Sequence, residues 1–201
     1  MALPNPGTTE GDVSLAGGRF LKRYRMECPV QSAKNGPADL PKGFRWEKWT
    51  PEISHLHGLV LHQSFKGEKD SQLFLSFTTP AGCENLLKEM GQRTDFLPEA
   101  TWLILGPDGP CATLQSLFQK GNVVSVQNIA VIPEHRGKGL GKALVKKLFQ
   151  MMHEHQFPMA WLEVTADNER AIRLYESMGF IRTKVLYKEL PIPAIIGEAG
   201  K

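Results

Sequence analysis

Along the chain, runs in which apolar and polar residues alternate give way to runs in which apolar residues recur every three or four positions, predicting interspersed strands and helices. Phe20 to Val30 and Phe44 to Trp49 read as strands on either side of the Pro- and Gly-bearing loop Ser32 to Gly43. Thr50-Pro51-Glu52 predicts a helix start, with Thr50 as N-cap, Pro51 at the first helical position, and Ile53, Leu56, Leu59 and Val60 as the stripe. A helix near Gly82 to Gln92 follows, then strands Thr101 to Leu105 and Cys111 to Gln119 about the turn Gly106-Pro107-Asp108-Gly109. Leu140, Leu144, Leu148, Met151 and Met152 mark a further helix, Ala160 to Thr165 a strand, and Glu169 to Met178 a last helix. Asn168 is placed to cap that last helix and Gly179 to end it, before a final strand entered through Phe180. Met1 to Gly18 lacks hydrophobic periodicity and is expected to be a flexible lead-in. The expected organisation is one α/β (α+β mixed) domain over 19–190, with a C-terminal tail over 191–201.

The segment from Asn122 departs from simple alternation. Val124 and Val126 share one strand parity and Ile129 and Val131 the other, so the inward side changes at Gln127-Asn128. One extra residue there, a β-bulge, reconciles both halves with a single core. A central strand buried on both faces gives the same pattern without a bulge.

After that strand comes Arg136-Gly137-Lys138-Gly139-Leu140-Gly141, then a helix. Three glycines let the backbone pass close to a ligand, and the amides opening a helix make a positive nest for phosphate oxygens. Lys142, Lys146 and Lys147 add positive charge along or beside the helix's exposed face. A Walker loop needs glycine at Arg136 and Ser or Thr at Ala143, and a dinucleotide fingerprint needs a small residue at Lys142; both fail. A plain strand-to-helix turn is the bland alternative.

Two side chains downstream are candidate acids and bases. In Ala160 to Thr165, parity places Trp161, Glu163 and Thr165 on one face and Leu162 and Val164 on the other. Glu163 between apolar neighbours suits a general base, because such a setting raises a carboxyl pKa; a salt-bridged or edge glutamate is the alternative. Tyr175 falls on the inward side of its helix with Ala171, Leu174 and Met178, a position that favours a core role over an acid. His55, His57 and His62 share one helix, but His-x-His points in different directions there, so packing or surface roles are favoured over a metal.

The chain has 201 residues, 41% hydrophobic and 22% charged, which excludes a fibrous or wholly disordered protein. Its net charge of +3 is scattered, so neither nucleic acid nor an anionic membrane is indicated. Cys28, Cys83 and Cys111 are odd in number and far apart, as expected of free thiols in a reducing compartment. With no signal-like start and no long apolar run, a cytoplasmic location is expected.

Arg136-Gly137-Lys138-Gly139-Leu140-Gly141 resembles the Arg/Gln-x-x-Gly-x-Gly/Ala loop of the GNAT superfamily of acyl-CoA-dependent N-acetyltransferases, preceded as there by Ile129-Ala130-Val131-Ile132-Pro133-Glu134-His135. Leu162-Glu163-Val164, Asn168, Ala171, Leu174-Tyr175-Glu176 and Gly179-Phe180 are similar to that family's second block, with closest likeness to ribosomal-protein N-terminal alanine acetyltransferases. The resemblance covers about Asn122 to Tyr187. It implies a central mixed, mostly antiparallel sheet that splays at a bulged strand and is flanked by helices. Acetyl-CoA would be cosubstrate, with no metal. Ile129, Ala130 and Val131 would meet the pantetheine, Arg136, Gly137, Lys138, Gly139, Leu140, Gly141 and Lys142 would cradle the pyrophosphate, and Asn168 would also touch the cofactor. Glu163 matches the proton acceptor and Tyr175 the proton donor, for direct transfer to a primary amine in a ternary complex. The acceptor is expected to be a peptide N-terminus, a lysine or a small molecule, with a second copy of the chain as a further candidate partner. A non-catalytic acyl-CoA-binding module is the competing function class.

Overall fold

The computed structural model describes residues 12–15, 18–34 and 36–191, the first four as backbone only. In chain order the elements are β1 (Asp12–Leu15), β2 (Gly18–Pro29), β3 (Arg45–Lys48), α1 (Ser54–Phe65), α2 (Asp70–Leu73) and α3 (Pro80–Gly91). Then follow β4 (Trp102–Gly106), β5 (Gly109–Gln119), β6 (Val123–Val131), α4 (Leu140–Glu154), β7 (Met159–Thr165), α5 (Glu169–Met178) and β8 (Ile181–Glu189). Among the described residues the strands form one eight-stranded sheet, in which β3, β4, β5, β6, β7 and β2 are successive neighbours and β8 pairs with β2. Every pairing is antiparallel except β6 with β7.

Order begins earlier than expected from the sequence. β7 pairs with β2 only from Arg23 onward, which leaves the edge of residues 18–21 open, and β1 takes it. Residues 1–11 of the expected lead-in, and 192–201 of the expected tail, lie outside the described residues.

Two cores cover the two faces of the sheet. One packs α4 and α5 against the strands through fully buried Leu144, Leu148, Phe149 and Met178. The other seats α1 and α3 on β4 through Val60, Leu61, Leu87 and Leu103. Burying apolar area on this scale is the main source of stability, at roughly 25 cal/mol per Å².

Helix α1 differs from its expected form. Pro51–Ile53 is a 3-10 turn, Thr50 makes no side-chain cap bond, and the α-helix starts at Ser54. Its buried face is Ser54, His57, Gly58, Val60, Leu61 and Ser64, whereas Leu59 is 38% exposed. The reason is close approach: a Cβ at Gly58 would lie 3.0 Å from the backbone of Glu84 in α3, so small residues line this contact. His57 is wholly buried against Thr113 (2.7 Å) and Gln115, and burial pushes its pKa down to about 3, a packing role.

The change of parity in β6 is a bulge. Gln115 pairs with Asn128 and Ser116 with Val126, leaving Gln127 as the extra residue. Val124, Val126, Ile129 and Val131 consequently all pack against the same core. Beyond the bulge the sheet opens: β6 and β7 pair only over Val123–Ser125 and Met159–Trp161. This splay positions the site.

Candidate active site

The gap between β6 and β7 is bounded by strand backbone whose polar groups have no strand partner. Ile132 donates its N–H to Cys111 O on β5, so alternation turns the polar groups of Ala130 toward β5 and those of Ile129 and Val131 toward the gap. Ala130 therefore meets the gap only as a wall, its side chain buried in the α1/α3 core.

A cleft of about 390 Å³ runs from this gap to the glycine loop. Gly137 and Gly139 both hold left-handed φ (85° and 82°), and a Cβ at either would meet nothing within 4 Å, so the loop faces open space. Gly139 is the N-cap of α4 and makes no side-chain cap bond, so the first-turn amides of Leu140, Gly141 and Lys142 open toward the cleft those residues line. Arg136 spends its guanidinium elsewhere: Nε donates to Val131 O (3.1 Å), Nη2 to Ser64 O (2.9 Å), and Nη1 pairs with Glu68 (3.0 Å). It fixes the loop to the end of α1. Lys138 turns to His135 (3.1 Å) and the Phe44 ring.

Of the three lysines expected to add charge, only Lys142 lines the cleft. Lys146 donates to Pro37 O (3.1 Å), and Lys147 sits 4.4 Å from the Trp102 ring, because those positions rotate away around α4. Arg170, not anticipated, joins Lys142 in the cleft. Asn168 caps α5 by accepting from Ala171 N (3.1 Å) while lining the cleft.

A second cleft, of about 280 Å³, adjoins the first, and the two share Phe65, Asp70, Ile129, Asn168, Ala171 and Tyr175 as walls. Glu163 and Trp161 lie in its wall, as their parity predicted. The setting of Glu163 is not the apolar one expected. Oε2 is 2.5 Å from Lys188 Nζ on β8 and 3.7 Å from Arg23 Nε on β2. Strands distant in sequence bring both cations.

Tyr175 belongs to the core and also reaches the clefts. It is buried and packs on Phe180, yet it lines both clefts, and its hydroxyl has no hydrogen-bond partner among the described residues. Burial, helped by Asp70 and opposed by Arg23, holds its phenol well above the usual range, so it stays protonated.

Arg23 and Asp70 were not legible beforehand, and Thr165 was placed only by its parity with Glu163. Arg23 Nη1 contacts Asp70 (2.6 Å) and Thr165 Oγ1 (2.9 Å), Nη2 donates to the Glu163 carbonyl (3.1 Å), and the Thr165 hydroxyl donates to Asp70 (3.1 Å). Beside α2, Lys69 pairs with Asp167, so this segment is tied across the opening by charge. The three thiols are buried, and burial raises each to about 11, which removes them as nucleophiles at neutral pH. Among the described residues no cluster could hold a metal ion, and no helix is long and apolar enough to cross a membrane.

The model of the acetyltransferase (GNAT) family matches residues 80–180. The chain is 47% identical over 53 residues to a ribosomal protein bS18-alanine N-acetyltransferase of Escherichia coli (strain K12), covering 26% of this chain and 36% of that protein. To streptothricin acetyltransferase of Streptomyces lavendulae it is 32% identical over 94 residues, covering 46% and 50%. The chain thus spans about a third to a half of the length of these relatives. Among solved structures, the Escherichia coli ribosomal-protein-S18-alanine N-acetyltransferase superposes with a TM-score of 0.57 at 18% identity, over 76% of this chain and 97% of that one. AAC(6')-Iy in complex with the bisubstrate analogue CoA-S-monomethyl-acetylneamine gives 0.54 at 12%, over 70% and 92%. Both likenesses concern the fold.

Proposed function

Because the chain belongs to the GNAT acetyltransferase family, whose members move an acetyl group from acetyl-CoA to an amine, we propose that its paired clefts form one direct-transfer N-acetyltransferase site. The observation that carries this reading is the shared wall: the amide-lined end and the acid-lined end are two halves of one opening beside the bulge.

The residues present fit acetyl-CoA. The open loop at Gly137 and Gly139 and the first turn of α4 offer backbone amides to a pyrophosphate, with Lys142 and Arg170 as flanking cations. Ile129 and Val131 offer strand backbone to a pantetheine amide chain. Asn168, its Oδ1 used in capping, has its amide nitrogen left for a ligand. Bound, the cosubstrate supplies an activated acetyl thioester.

The chain's own groups do the rest. An acceptor arrives as an ammonium and must lose a proton before its nitrogen can attack; Glu163 receives that proton directly or through a water, and the entering cation replaces Lys188 on the carboxylate. Backbone N–H beside the Gln127 bulge faces the charge that develops on the acyl oxygen. Tyr175, held protonated between the clefts, gives its proton to the departing sulfur, whose own basicity rises in the same desolvated setting. Arg23 positions Glu163 by gripping its carbonyl and facing its carboxylate.

For the acceptor, the bS18-alanine N-acetyltransferase likeness supports a peptide N-terminus, and the apolar walls Phe74, Phe77 and Trp161 suit an apolar residue beside the amine. The buried free thiols support a reducing, cytoplasmic setting. The test is a screen of the purified protein for release of free CoA across N-terminal peptides, polyamines, aminoglycosides and simple amines. Turnover with N-terminal peptides is expected. Binding of acetyl-CoA without turnover of any amine would instead favour a non-catalytic module.

A further inference from the structure

The acceptor-side cleft already contains a primary amine. Lys188 leaves β8, passes over β2, and places its Nζ 2.5 Å from Oε2 of Glu163, in the same cleft that Tyr175 lines. That is the position an acceptor ammonium must reach to surrender a proton to Glu163. The Lys188 side chain is 39% exposed, so it is not locked into the core. Other nearby lysines are differently placed: Lys22 lies over the Tyr24 ring, Lys69 on Asp167, and Lys142 in the loop-side cleft.

We propose that Lys188 is an acetyl acceptor within its own molecule, so that the enzyme modifies its own cleft. This rests on the reading of Glu163 as proton acceptor and of the glycine-loop cleft as the acetyl-CoA site. The Lys188 ammonium gives one proton to Glu163, which passes it to solvent. The freed nitrogen lone pair forms a C–N bond to the acetyl carbon as the C–S bond breaks. The nitrogen loses its second proton, Tyr175 protonates the departing sulfur, and that second proton restores Tyr175. The products are Nε-acetyl-Lys188, CoA thiol and one proton in solution, with nothing oxidised or reduced. Tethering makes the amine's effective concentration high, so the step needs no acceptor from solution. Its product is neutral, and the ion pair with Glu163 is lost.

The test incubates the full chain with acetyl-CoA and no added amine, then locates acetyl groups by peptide mass spectrometry while the same samples are melted with and without acetyl-CoA. Lys184, exposed on the same strand, reports uncatalysed acetylation. The expected result is acetylation at Lys188 at least ~10-fold above Lys184, falling to the Lys184 level in Glu163→Gln, with a first-order rate independent of protein concentration. Lys188→Arg should lose the modification while keeping the thermal shift. A thermal shift with Lys188 no more acetylated than Lys184, equal modification in Glu163→Gln, or a rate that climbs with protein concentration would each overturn the inference and leave the cofactor site standing. No thermal shift at all would overturn the proposed function, and the inference with it.

Discussion

The two halves of the cleft are built by different means. On the loop side, the expected ligand contacts are backbone: the amides opening α4, the left-handed glycines, and the strand edge of Ile129 and Val131. On the acceptor side they are side chains, with Arg23, Asp70, Glu163, Thr165 and Lys188 arriving from β2, α2, β7 and β8. A backbone site depends on local conformation and costs the fold no buried charge. A side-chain site of this kind buries ions that must pair with one another, so it is also part of what holds the structure together.

That difference is broken most severely at Asp70. Asp70→Asn removes the nearer of the two carboxylates paired with the Arg23 guanidinium, whose side chain is 6% exposed, leaving only the longer contact to Glu163, and the expected loss is about 3 kcal/mol of stability. Lys142→Ala, on the loop side, should change stability by no more than about 0.5 kcal/mol. Chemical denaturation of both variants checks the contrast; equal losses would erase it.

The next effect is on turnover. Glu163→Gln keeps the side chain's shape and removes the proton acceptor, so turnover should fall ~10²-fold, about 2.7 kcal/mol, with acetyl-CoA binding nearly unchanged. Because a deprotonated amine needs no base, raising the pH should recover part of the loss. Steady-state kinetics across pH, beside calorimetric binding of acetyl-CoA, decide this; wild-type turnover would return Glu163 to a structural ion pair with Lys188.

The smallest effect separates packing from chemistry at Tyr175. Tyr175→Phe keeps the ring against Phe180 and removes a hydroxyl that has no hydrogen-bond partner among the described residues. Stability should move by less than about 1.5 kcal/mol while turnover falls ~10-fold, about 1.4 kcal/mol. Thioesters with more acidic thiols should regain part of that rate. Normal turnover in a normally melting variant would leave Tyr175 as core alone.

The same contrast explains what could be read from the sequence. The glycine loop, the parity change at Gln127 and the block from Leu162 to Phe180 are each contiguous, and their meaning depends on neighbours a few residues away. The strand at Phe20 to Val30 was also legible, but not its slot between β7 and β8, because alternation specifies a face and not a partner. Arg23 therefore gave no signal, lying 140 residues from Glu163 and 47 from Asp70. Lys188 gave none either, and the apolar setting inferred for Glu163 failed because both cations come from other strands. At α1 the hydrophobic stripe was right for Ile53, Leu56 and Val60 and wrong only for Leu59, because the close approach to α3 is made at Gly58 and the buried face runs through Ser54, His57 and Leu61.

The central claim, that the loop-side cleft holds acetyl-CoA through its backbone, is tested most directly by the melting temperature with and without acetyl-CoA in the wild type and in Gly139→Asp. Asp tolerates left-handed φ better than most residues, and its Cβ meets nothing here, so the variant should fold while placing a negative charge in the phosphate path. The account predicts that acetyl-CoA at a hundred times its dissociation constant stabilises the wild type by about 2.7 kcal/mol, that ATP and NAD do much less, and that Gly139→Asp shows no shift. Equal stabilisation by ATP, or an undiminished acetyl-CoA shift in Gly139→Asp, would contradict it.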